Sequence, residues 1–247
     1  MWMQTMSDQE NGELDHSRDR PGVHDVQKGQ VVAASSHSSL VWDLLRIPMR
    51  WFCSSWLRIT ASGTENIDPD RGALLLINHE SYLDPIVAGV RLNRPVCFLA
   101  RDTLFRVPVL KWLLTWTFVI PISRRAARSS SIRAAGERLR EGHLVGIFPE
   151  GTRSAAGATL EFRPGFLAIA RRTDQPVHPV GIAGSGLALP RDSFWLRPRR
   201  IHVHYGPSLS AEMRQRISAG DDDQKLCEDV RLLVQEQMRR SAEQIRS

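Results

Sequence analysis

Cysteine is scarce. Cys53, Cys97 and Cys227 are the only three in 247 residues, an odd total with no C-x-x-C pair, which argues against a disulfide scaffold or a zinc ribbon and suits a reducing compartment. Lysine is as rare: Lys28, Lys111 and Lys225 leave 30 of the 33 basic residues as arginine, a forked cation suited to phosphate or carboxylate. Long apolar runs are missing too. The longest uncharged one, residues 112–123, has twelve residues and contains Pro121, short of the roughly 18 that a membrane-spanning helix needs. Residues 1–30 carry acids throughout and no apolar stretch like the h-region of a secretory leader, so export is not expected.

Several catalytic signatures are also absent. There is no G-x-S-x-G elbow, since Ser185 has Ala183 and Leu187 two positions to either side, no G-x-x-x-x-G-K-[ST] phosphate loop, no H-E-x-x-H and no G-x-G-x-x-G after a strand. A covalent serine hydrolase, a nucleotide triphosphatase and a dinucleotide enzyme all lose support. His202 and His204 share one face of a candidate strand, yet no third ligand stands at a metal-site spacing, so they read as ordinary strand histidines.

What is present is a folding composition, 42% hydrophobic and 24% charged. The first thirty residues hold six acids against three bases, whereas the remainder holds 30 bases against 21 acids. That excess points to nucleic acid, anionic lipid or a phosphorylated substrate. No helix-turn-helix, zinc finger or aromatic-basic RNA motif supports nucleic acid. Arg191, Arg197, Arg199 and Arg200, like the arginines between positions 124 and 140, suit anionic headgroups, a donor's phosphates or simply a solvated face.

Residues 1–38 are polar and read as a flexible tail. In residues 39–59, Ser39, Asp43, Arg46, Arg50 and Ser54 recur every three or four positions as one narrow polar stripe on an otherwise apolar helix, broken at Pro48. Trp42, Trp51 and Trp56 at its edges fit a helix lying in the membrane interface; burial against the domain is the alternative.

From residue 60 onward, short apolar runs alternate with helical patterns. Strands are expected at 73–78, 96–100, 118–122, 144–148, 177–182 and 201–205, and helices at 85–91, 107–115, 131–141, 164–172, 211–218 and from 222. In the last helix Leu226, Val230, Leu233, Val234 and Met238 form one stripe, with Asp221 to Asp223 supplying caps and favourable first-turn charge. The expected fold is α/β: a single mixed, mostly parallel sheet flanked by helices over residues 60–247, preceded by the amphipathic element.

Two segments follow strands directly, where ligands bind in such sheets: Asn78-His79-Glu80-Ser81-Tyr82-Leu83-Asp84 and Phe148-Pro149-Glu150-Gly151-Thr152-Arg153-Ser154. The five-residue step from His79 to Asp84 fits neither one face of a helix nor one face of a strand, so a turn must bring them together. An imidazole held by a carboxylate is a general base. The alternative is that Asp84 caps the helix at Pro85, or forms an S-x-x-D box with Ser81. In the second segment Gly151 lets backbone approach, Thr152 offers a hydroxyl, Arg153 a forked cation, and Glu150 can orient Arg153 or bind a hydroxyl. A salt-bridged turn is the plainer alternative.

Together, in this order, the segments resemble the lysophosphatidic-acid acyltransferase family of glycerolipid acyltransferases, whose first motif is N-H-x-x-x-x-D and whose third is F-P-E-G-T-R. The resemblance runs from about Arg58 to Pro207, with a second motif at 119–124 and a fourth, V-x-P-V, at 177–180. It implies that His79 deprotonates an acceptor hydroxyl, that Asp84 holds His79, and that Arg124, Glu150, Gly151, Thr152 and Arg153 bind the acceptor, with the arginines on its phosphate. It implies acyl-CoA or acyl carrier protein as donor, 1-acyl-sn-glycerol-3-phosphate as acceptor, no cofactor and no metal, and a peripheral place on the cytoplasmic face of a membrane. Other acceptors, such as lyso-ornithine lipid, or a non-catalytic lipid-binding role, are the alternatives. Phe118, Pro121 and Ser123 stand where the second motif commonly has Gly, Phe and Asp, and Arg101 where Lys is frequent. Long acyl chains ask for a bilayer or an apolar tunnel, for which residues 39–59 and 104–116 are candidates, although Trp112 and Trp116 suit a core equally.

Overall fold

In the computed structural model, the described residues are 47, 48, 51, 53–101, 120–122, 128–193 and 195–247. Seven strands form one sheet: β1 (Ile59–Ser62), β2 (Ala73–Ile77), β3 (Val96–Arg101), β4 (Ile120–Ile122), β5 (Leu144–Ile147), β6 (Val177–Ala183) and β7 (Ile201–Tyr205), in the order β1-β7-β6-β2-β5-β3-β4. Every neighbouring pair is parallel except β6 and β7. After β1, the described residues also form the helices α1 (Asp84–Val90), α2 (Arg128–Arg140), α3 (Gly165–Ala170), α4 (Ser185–Ala188), α5 (Ala211–Ala219) and α6 (Asp223–Arg246).

Strands β2 and β5, in the middle of the sheet, are apolar without interruption because both faces are covered. In β2, Leu75 and Ile77 join a core with Val87, Ala88, Ile182 and Tyr205, while Leu74 and Leu76 join the opposite core with Leu139, Phe166 and Val230. The two-residue period of the strand thus divides one run between two layers. The longest helix lies directly on β6: a Cβ at Gly181 would collide with the backbone of Gln237 and Met238. Asp222 caps that helix, accepting from the Gln224 and Lys225 amides.

Three expectations need correcting. Ile59 opens β1 rather than closing the amphipathic element, whose described helical residues end at Ser55, because its amide plane pairs with Ile201 and its side chain is fully buried. Part of that element also packs on the domain: Cys53 and Leu57 are buried, whereas Ile47, Trp51 and Trp56 are exposed. On α6, Leu233 is exposed, and Cys227, Gln237 and Ser241 complete the inward face instead. The expected helix at 107–115, Trp112, Trp116 and the tail 1–38 lie outside the described residues.

Candidate active site

The carboxyl end of β2 is pinned to its neighbour before the site begins. Asn78 donates from Nδ2 to the Ile182 carbonyl (3.0 Å) and accepts the Ile182 amide on Oδ1 (2.7 Å), which fixes the chain where it leaves the sheet. His79 follows, and its ring meets Asp84 with Nδ1 2.8 Å from Oδ2. Asp84 closes the five-residue step itself, because the same Oδ2 accepts the amides of Glu80 (2.7 Å) and Ser81 (2.8 Å) and folds the segment back around the carboxylate.

The capping alternative is half realised. Asp84 stands in the first turn of α1 and takes the Ser81 amide, as in a capping box. The Ser81 hydroxyl, however, accepts from Leu83 (3.3 Å) and donates to the Leu189 carbonyl (2.9 Å). Asp84 therefore serves the turn and the imidazole at once. Its base is firm, since Arg91 at the end of α1 donates through Nε to the Ile59 carbonyl (2.9 Å) and the Tyr205 hydroxyl donates to Ala88 (2.8 Å).

Because Nδ1 faces the carboxylate, Nε2 is the nitrogen left to take a proton. The His79 side chain is 19% exposed while Asp84 is fully buried. Phe148 stacks on the imidazole, centroids 4.2 Å apart, and Phe98 stacks behind Phe148 at 5.5 Å. The first residue of the second segment is thus the floor under the base.

Two buried carboxylates cross between the segments. Glu150 accepts the His79 amide on Oε1 (2.9 Å) and the Leu160 amide on Oε2 (2.9 Å), and Ser154 binds the His79 carbonyl through its amide (2.7 Å) and hydroxyl (3.1 Å). Running the other way, Glu80 accepts the Gly157 amide on Oε1 (2.9 Å) and is also bonded by the Gly186 amide. Burial pushes the Glu80 carboxyl up to about 7, with Asp84 and Glu150 adding to the rise against those amides. Burial likewise raises Glu150, while the Leu160 and His79 amides pull it down.

This corrects one expectation. Glu150 is only 2% exposed, and its oxygens accept the His79 and Leu160 amides beside the Ser154 hydroxyl, so here it holds the His79 backbone rather than pairing with Arg153. The other residues of its turn do face outward. Gly151 adopts φ 69°, which a side chain would resist, and lies against the Arg163 side chain. Thr152 is exposed. Arg153 stacks 3.7 Å over the Tyr82 ring and donates through Nη1 to the Arg191 carbonyl (3.2 Å). His79, Asp84, Gly151, Thr152 and Arg153 are brought to one edge of the sheet; Arg124 lies outside the described residues. His202 and His204 are held elsewhere, their Nδ1 atoms 3.2 Å from the Ser241 and 2.7 Å from the Ser62 hydroxyls.

The sequence reading missed Glu80, Tyr82, Phe148 and Ser154 as parts of the site. Tyr82 and Glu80 occupy variable places within the first motif, so only their neighbours in space reveal them. The arrangement can lift a proton from a hydroxyl beside a cation.

Residues 58–183 match the Acyltransferase family. A 1-acyl-sn-glycerol-3-phosphate acyltransferase of Borreliella burgdorferi is 30% identical over 161 residues, 63% of this chain and 64% of that protein. A chloroplastic enzyme of the same name from Arabidopsis thaliana is 32% identical over 139 residues, 55% of this chain and 39% of its own. The chain thus spans less than two thirds of the length of these relatives. The crystal structure of the 1-acyl-sn-glycerophosphate (LPA) acyltransferase PlsC from Thermotoga maritima superposes with a TM-score of 0.63 over 81% of each chain at 24% identity, a likeness of fold.

Proposed function

Since the chain belongs to the acyltransferase family, we propose that it transfers a fatty acyl group from a thioester donor, acyl-CoA or acyl carrier protein, to the free hydroxyl of 1-acyl-sn-glycerol-3-phosphate, yielding phosphatidic acid. The observation that carries this reading is the His79 Nδ1 to Asp84 Oδ2 contact of 2.8 Å on a partly open ring, with the His79 backbone bonded by Ser154, the neighbour of Arg153 in the second segment. In the proposed step His79 Nε2 takes the hydroxyl proton as the oxygen attacks the thioester carbonyl. The C–S bond then breaks, and the leaving thiolate recovers the proton from the imidazolium, so no residue is acylated. Asp84 stabilises the transient imidazolium, and a thioester is activated enough for positioning and base catalysis to suffice.

Acceptor phosphate is assigned to Arg153, with Gly151 and Thr152 supplying backbone approach and a hydroxyl, and with Arg124 from the second motif as its partner. We place the protein on the cytoplasmic face of a membrane, held peripherally by the segment that precedes β1. Trp51 and Trp56 are exposed, and no helix among the described residues is long and apolar enough to cross a bilayer. An oriented base has no use in a purely lipid-binding module, which favours the enzyme.

Thiol release from acyl-CoA, measured with a panel of lysophosphatidate, lysophosphatidylcholine and lyso-ornithine lipid, tests the reading. Fastest turnover is expected with lysophosphatidate. Faster release with lyso-ornithine lipid would reassign the acceptor, and none with any of them would remove the enzyme.

A further inference from the structure

The direction of two strands decides what surrounds the site. Strands β2, β3, β5 and β6 run parallel, so His79 after β2 and Phe148 after β5 emerge at one edge. Strand β7 runs against β6, pairing His202 with Ala183, and β1 runs with β7, pairing Ile59 with Ile201. The amino ends of β1 and β7 therefore lie at that same edge. Whatever precedes Ile59 and Ile201 in the chain is delivered to the rim of the site.

What precedes them is apolar, exposed and basic. Ahead of β1 stand Trp51, 72% exposed, and Trp56. Ahead of β7, the connection from β6 carries Leu187 on α4 and Trp195, 82% exposed. Its charge is Arg191, Arg197, Arg199 and Arg200 against the single acid Asp192. Arg197 and Arg199 have no side-chain partner among the described residues, and Leu196 between them and Trp195 anchors the connection on the core. The connection is also tied to the site, through the Ser81 hydroxyl on the Leu189 carbonyl (2.9 Å) and Arg153 on the Arg191 carbonyl (3.2 Å).

Exposed indoles at the tips of two separate connections, with unpaired guanidinium groups beside one of them, match the boundary of an anionic bilayer, where rings sit at headgroup depth and arginines meet phosphate. We propose that the β6–β7 connection is a second membrane-contact element, which together with the segment before β1 sets the site edge of the sheet against an anionic phospholipid surface. Trp195 enters the interface and Arg197 and Arg199 contact headgroups. A lysolipid then reaches His79 from the bilayer plane without crossing water. The inference rests on the acyltransferase reading only for what the edge does; the docking itself stands on topology, exposure and charge.

The test is co-sedimentation of the full chain with vesicles of phosphatidylcholine alone or mixed with phosphatidylglycerol, for wild type, Trp195→Ser and Arg197→Gln/Arg199→Gln. Beside it runs turnover of a short-chain lysophosphatidate and a short-chain acyl-CoA, both monomeric in water. The proposal expects each variant to bind the mixed vesicles about tenfold or more weakly, with the arginine pair losing salt-sensitive binding and both keeping wild-type turnover on the monomeric substrates. Unchanged binding in both variants overturns it. So does unchanged binding with reduced turnover, which would move the connection into substrate recognition. A wild type inert on soluble substrates would end the acyltransferase reading, while the vesicle results still decide the docking.

Discussion

Around His79 the polar groups are engaged before any substrate arrives: its amide goes to Glu150, its carbonyl to Ser154 and its Nδ1 to Asp84. Along Gly151, Thr152 and Arg153, in the separate loop that follows β5, Gly151 and Thr152 are exposed, and Arg153 rests on a tyrosine ring and a carbonyl. One half of the candidate site is preorganised and the other half is open. The contrast fits the proposed chemistry, in which a base is fixed relative to the reacting oxygen, whereas a cation collecting a mobile headgroup gains from reach.

The severest break is to remove the base. His79→Ala should lower turnover at least about a hundredfold while leaving the unfolding midpoint near wild type, because the bonds to Glu150 and Ser154 use backbone that alanine retains. Thiol release and thermal melting read the two effects; undiminished turnover would sink the assignment of the base.

Next comes the buried support. Folding raises the Glu80 carboxyl from 4.5 to about 7. Below 4.5 both folded and unfolded chains hold the proton and the group is neutral to stability. Between 4.5 and 7 the unfolded chain releases it first, so stability falls as pH rises, by an amount on the order of 3 kcal/mol once above 7. Glu80→Gln, which cannot ionise, should flatten that slope in urea titrations across the window. Parallel slopes for the two proteins would show that Glu80 does not titrate there.

Smallest is the change on the open side. Arg153→Ala should raise KM for lysophosphatidate about tenfold, with less effect on the acyl-CoA KM and little on stability, since its present contacts are one carbonyl and one ring face. A larger effect on the donor would transfer Arg153 to the donor's phosphates and blur the division between the two halves.

Much of this architecture could be seen in the residues. Apolar runs such as Ala73–Ile77 announce strands because both faces are covered, and the 3.6-residue stripe from Leu226 to Met238 announces α6. Strand β1 escaped notice, since the edge sequence ITAS is half exposed and its one fully buried residue, Ile59, continues the apolar pattern of the preceding helix. In the site, His79 and Asp84 were legible as a motif and their meeting as a required turn. The duties of Glu80 and Glu150 were not, because each carboxylate answers to backbone amides more than seventy positions away. An amide has no sequence signature, and an acid in a variable place looks like any surface acid.

The crossing of those two carboxylates also bears on how the molecule is born. Each closes a loop of 71 or 77 residues, and contacts so distant along the chain form late, after the entropy of closure has been met by strand pairing and collapse. Asp84 folds the first segment locally, but the His79 amide and carbonyl find Glu150 and Ser154 only when the second segment arrives. The full set of contacts around the imidazole is therefore completed only near the end of folding, and a half-assembled chain lacks both the Phe148 floor and the Glu150 hold on the His79 backbone.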